Sequence, residues 1–138
     1  MGELGGGCES DAVCSGDLAC ALIVSVPGIF TAQTCSTCLQ DMDCQGSQLC
    51  GLEIDIPTLS GVRECINPGS QPNGATCDFQ TTGDAACTSG HCATVDVMGI
   101  LDLGVCGECE SNADCNGQQT CVPGQVDFQA GTIGSVCQ

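Results

Sequence analysis

The chain has 138 residues, 16 of them Cys, and it sets 17 Asp and Glu against one Lys or Arg. A phosphate-binding nucleic-acid surface and a polybasic membrane patch both need cations that are missing here, and no apolar run nears the ~20 residues of a membrane span. At about 12% Cys the composition exceeds the roughly 8–10% that marks a disulfide scaffold.

The opening segment, 1–7, is acidic and glycine-rich and reads as a tail. A secretory leader is basic and then apolar, so any leader is expected to have been removed or replaced before Met1. The cysteines then act as a ruler. Cys8, Cys14, Cys20 and Cys35 read C-x5-C-x5-C-x14-C, a first module over 8–35. Cys38, Cys44, Cys50 and Cys65 repeat that spacing over 38–65. Residues 66–76 hold two Pro, two Gly and two Asn, the composition of a turn-rich linker. Cys77, Cys87, Cys92 and Cys106 give a looser third copy over 77–106. Cys109, Cys115, Cys121 and Cys137 give a fourth over 109–137, spaced C-x5-C-x5-C-x15-C. Copies one and two join through Cys35-Ser-Thr-Cys38, and copies three and four through Cys106-Gly-Glu-Cys109. The arrangement is a duplicated two-module unit.

Each module has a polar loop followed by an apolar segment. Asp11, Asp41 and Asn112 occupy one slot of the loop, where a short Asx side chain can close a turn onto a backbone N–H two residues on. Between third and fourth Cys the pattern alternates with period two. Leu52, Ile54 and Ile56 interleave with Glu53 and Asp55; Val95 and Val97 interleave with Thr94 and Asp96, and Leu101, Leu103 and Val105 follow Gly99. Val126 and Phe128 do the same before Gly131. Alternation broken by a central Pro or Gly predicts a β-hairpin. In the first copy, Leu22, Ile23, Val24 and Val26 before the turn, with Ile29 and Phe30 beyond it, are apolar on both faces. That is more apolar surface than one neighbour covers, so these six form the candidate assembly or partner surface.

The predicted fold is small, disulfide-rich and mostly β or irregular: four tandem loop-plus-β-hairpin modules stacked as an elongated rod. Modules this short need staples, and all sixteen Cys are expected in intramodule cystines. Four Cys allow three pairings. First with third and second with fourth is preferred, because it ties loop to hairpin where pairing neighbours would not.

The loop Cys38-Leu-Gln-Asp-Met-Asp-Cys44, with the hairpin and Cys-x2-Cys that follow, resembles tandem extracellular cystine modules of the EGF-like kind and the amino-terminal cysteine-rich region of Dickkopf-type secreted proteins. The EGF-like Cys-x-Cys and third bridge are absent, and the chain is acidic where Dickkopf-type proteins are basic. The resemblance implies an extracellular interaction or spacer role.

The chemistry-bearing residues are few. The two Cys-x2-Cys pairs have zinc-type spacing but straddle module boundaries. Asp11, Asp41, Asp43 and Asp114 put carboxylates on loops and are weak calcium candidates, although no loop has an EF-hand pattern. His91 is the one His and reads as a lone exposed side chain. The expected function is a secreted, non-enzymatic structural protein that assembles into an extracellular filament, coat or matrix, needing no cofactor beyond possible calcium. Its partner is itself or another extracellular protein. The alternative is a monomeric binding or adhesion module or a secreted antagonist.

Overall fold

The computed structural model describes residues 2–58, 60–81, 83–97, 99–127, 129 and 131–138. The chain divides into two compact units, Met1–Ile66 and Asn67–Gln138. The cut falls where the sequence repeats, and each unit carries two modules. All sixteen Cys are bridged, in eight disulfides. In every module the first Cys pairs with the third and the second with the fourth, as in Cys8–Cys20 and Cys14–Cys35.

In the first unit β1 (Ala19–Val26) pairs antiparallel with β2 (Phe30–Ser36), and β3 (Leu49–Asp55) with β4 (Ser60–Ile66). The two hairpins meet through polar as well as apolar groups. Thr34 donates its hydroxyl to the Gly61 carbonyl at 2.6 Å, and the Arg63 N–H donates to Ser36 Oγ at 2.9 Å. Gly61 is small for a reason: a Cβ there would overlap the Glu53 carbonyl on the paired strand. The tail is not loose. The Gly5 N–H donates to the Cys35 carbonyl, the Cys35 N–H to Gly6, and the Cys8 N–H to Gln33. The tail thus covers an edge of β2, which protects a strand that would otherwise offer unpaired backbone groups. Ile54 and Ile56 are buried while Glu53 and Asp55 are exposed, as period-two alternation requires.

The second unit begins inside the segment expected to be a linker. The Gly69 and Gln71 N–H groups donate to the Ala85 and Ala86 carbonyls, and Gly74 N–H to Cys106. The segment then runs into β5 (Thr76–Cys77), so these residues are bonded onto the third module. After α1 (Gly83–Ala86), a single helical turn, come β6 (Cys92–Val97) and β7 (Leu101–Cys106). The three strands form one sheet in the order β5-β7-β6. Its core is cystine: Cys77, Cys87, Cys92 and Cys106 cluster, with Ala75 and Phe79 packed against them. Val95, Val97, Leu103 and Val105 are buried on the alternating positions.

The fourth module departs from the single hairpin expected of it. β8 (Cys121–Val122) pairs with β11 (Val136–Cys137), and β9 (Gln125–Asp127) with β10 (Gly131–Ile133). The ladder breaks at Pro123-Gly124 on one side and Gly134-Ser135 on the other. Proline removes a ladder donor. Ser135 is buried and turns its hydroxyl to the Cys109 carbonyl at 2.5 Å, anchoring the break to the module boundary. Phe128, expected on the apolar face here, lies outside the described residues.

Candidate functional site

One polar device recurs in all four modules. Three residues before each second Cys stands an Asx, and its Oδ1 accepts the backbone N–H of the third Cys. Asp11 binds Cys20 at 2.7 Å, Asp41 binds Cys50 at 2.8 Å, Asp84 binds Cys92 at 2.7 Å and Asn112 binds Cys121 at 2.8 Å. The sequence predicted that the Asx side chain would close a turn two residues on. The structure corrects this: in three modules it reaches nine residues on, and in the third module eight. The loop is thereby tied to the start of the hairpin beside the first-to-third bridge. The sequence reading missed Asp84, because the third loop is longer when counted from its first Cys. Counted back from Cys87, the slot is unchanged. A glycine with positive φ recurs just beyond the second Cys as well, at Gly16, Gly46, Gly90 and Gly117. There the chain reverses towards the hairpin in a conformation that side chains resist. Replacing Asp84 by Ala should cost about 1.5–3 kcal/mol, the range for a hydrogen bond to a charged group. Asn112→Asp should be near neutral, since Asp fills that slot in the other modules. Denaturant midpoints of the two variants check both.

A second carboxylate caps the loop in two modules. Asp43 Oδ2 accepts the Leu39 and Gln40 N–H groups, and Asp114 Oδ2 accepts those of Glu110 and Ser111 at 2.9 and 3.1 Å. These two backbone N–H donors, Glu110 first, hold the Asp114 carboxyl below its ordinary range. Desolvation opposes them and the nearby His91 adds to them. The first module has Val13 at this position and no such cap. The four calcium candidates, Asp11, Asp41, Asp43 and Asp114, therefore each commit an oxygen to backbone N–H groups of their own loops.

The candidate apolar surface needs correction. Ile23, Val24 and Val26 are buried, at 6%, 3% and 4% exposure. The cause is a β-bulge. Leu22 pairs with Gln33 and Val24 with Ala32, which leaves Ile23 as an extra residue on β1. The bulge turns two consecutive side chains inward, so a strand apolar on both faces buries most of itself. Phe30 is half-buried, and Leu22 and Ile29 stay exposed. Ile29, at the hairpin tip, is 65% exposed; Ile100, after Gly99 at the tip of β6 and β7, is 56% exposed. In each tip the Ile N–H closes the turn, onto the carbonyl of Val26 or Val97.

His91 has company. Its Nδ1 lies 3.2 Å from Glu110 Oε2 and 3.8 Å from Asp114 Oδ2. The sequence separates His91 from Glu110 by 19 residues, and the crossover from Cys106 to Cys109 brings them together. Among the described residues this is the one group of three potential metal-ligating side chains that is not made of cystine sulfurs. The sulfurs that gather in each module are all oxidised, and each Cys-x2-Cys is split between two bridges: Cys35 pairs with Cys14, and Cys38 with Cys50. Compared with protein-family models, curated proteins and solved structures, the chain matches none.

Proposed function

We propose that the chain is a secreted, non-enzymatic structural protein that associates with copies of itself through the apolar tips of its hairpins. The observation that carries this reading is the pair Ile29 and Ile100, the two most exposed isoleucines among the described residues, at corresponding turns of the two units. By sequence Leu59 follows Ile56-Pro57-Thr58 as Ile29 follows Val26-Pro27-Gly28; its placement lies outside the described residues. Stapled hairpins hold such residues at little cost in ordering entropy. Support for an oxidising, extracellular setting is the complete set of eight bridges. No helix among the described residues is long and apolar enough to cross a membrane.

The burial of Ile23, Val24 and Val26 favours a second reading, the monomeric extracellular binding or adhesion module. Isolated surface isoleucines are ordinary on a monomer. Sedimentation over a range of protein concentrations separates the two. With a net charge of −16, copies repel one another until salt shortens the range to about 8 Å at physiological ionic strength. Self-association should therefore strengthen with salt or calcium and weaken in low salt at pH 8. The double variant Ile29→Ser, Ile100→Ser should abolish it. A wild type that stays monomeric in every buffer transfers the case to the binding module.

A further inference from the structure

We propose that His91, Glu110 and Asp114 form a binding site for one zinc-class divalent ion, clamping the third module to the fourth. The three ligand atoms lie within 4.8 Å of one another. Zinc binds imidazole nitrogen and carboxylate oxygen at about 2.0–2.2 Å, so a tetrahedral site separates its ligands by roughly 3.4 Å. The 3.2 Å from Nδ1 to Glu110 Oε2 is close to that edge. The nearer Asp114 oxygen, Oδ2 at 3.8 Å, already accepts two backbone N–H groups, so Asp114 would turn its other oxygen, Oδ1, to the ion. Small rotations of the exposed Glu110 side chain adjust the rest, and water completes the shell.

The imidazole distinguishes this group from the other carboxylates of the chain. An exposed carboxylate gathers any counter-ion, whereas a nitrogen donor selects zinc, copper or nickel over calcium and magnesium. The neutral ring offers Nδ1 to the ion when its proton sits on Nε2. The residues are also held in place. The Gly107 N–H donates to the His91 carbonyl, and the His91 N–H to Ser89 Oγ. Ser89 in turn donates its hydroxyl to the Gly107 carbonyl. Asp114 is fixed by the two backbone donors of its own loop. With Cys92 and Cys109 adjacent and both bridged, His91 and Glu110 stand on stapled backbone.

The test is a titration of the oxidised full chain with zinc chloride against a chromogenic chelator, with the imidazole proton signals followed in parallel. One His gives one set of signals. They should shift or broaden and saturate at one zinc per chain, with excess calcium present. His91→Ala and Glu110→Gln should each weaken zinc binding by at least about tenfold, the lower end seen for loss of a supporting group at metal sites. Asp102→Asn, which removes one charge from an exposed strand position, should leave it unchanged. Imidazole signals that do not respond to saturating zinc would overturn the site. So would a His91→Ala protein that binds zinc like the wild type, or calcium displacing zinc mole for mole.

Discussion

Reduction of all eight disulfides should abolish the β-sheet circular dichroism of the protein and its resistance to proteolysis. The argument is one of core size. The cluster at the centre of the third module consists of four cystine half-residues flanked by Ala75 and Phe79. Its largest contributors are therefore the bridges themselves. The sequence separations they close run from 12, as in Cys8–Cys20, to 22 in Cys115–Cys137. Loops of about 15 residues are worth roughly 3 kcal/mol each in chain-entropy accounting. Removing one bridge through Cys14→Ser with Cys35→Ser should cost about 2–5 kcal/mol, read as a lowered denaturant midpoint. Removing all of them leaves two-stranded hairpins, marginal in water, and one sheet whose third strand, β5, is two residues long. The protease must be of broad specificity, because Arg63 is the one tryptic site. Retention of the β signal after complete reduction would mean that the apolar faces hold the units unaided.

Much of this architecture is legible in the cysteine spacing. The quartets mark the modules, and the need to join loop to hairpin excludes pairing of neighbours and leaves the adopted pairing as one of two. Alternation places Ile54, Ile56, Val95 and Val97 inward. What escapes the sequence depends on register or on distance along the chain. Nothing local to Ala21–Val26 says that Ile23 is the extra residue; the bulge is defined only once β2 is laid against β1. The reach from Asp11 to the Cys20 N–H exists only after the bridge between Cys8 and Cys20 has folded the loop back. His91 looks solitary because its partners lie beyond a module boundary. The tail and the segment 67–76 look like connectors by composition, yet glycine-rich chain can also lie close against a strand or a carbonyl. Their backbone groups do that here.

The bulge gives the second large effect, a contrast between two neighbouring sites. Val24→Asp should destabilise the first unit by at least about 3 kcal/mol, because an unpaired carboxylate would replace a side chain that is 3% exposed. Against a total stability of roughly 5–15 kcal/mol, that is a major fraction. Ile23→Asp belongs in the same class, at 6% exposure. Ile29→Asp, only a few residues on but at the hairpin tip, is 65% exposed and should change stability by no more than about 0.5 kcal/mol. The pair therefore separates folding from association. Val24→Asp should lower the denaturant midpoint, whereas Ile29→Asp should keep the wild-type midpoint and reduce only the concentration-dependent increase in mass. A neutral Val24→Asp would show that β1 is not bulged inward, and would return Ile23, Val24 and Val26 to the surface. A destabilising Ile29→Asp would instead make the tip part of the packing, leaving the self-association reading without its main support.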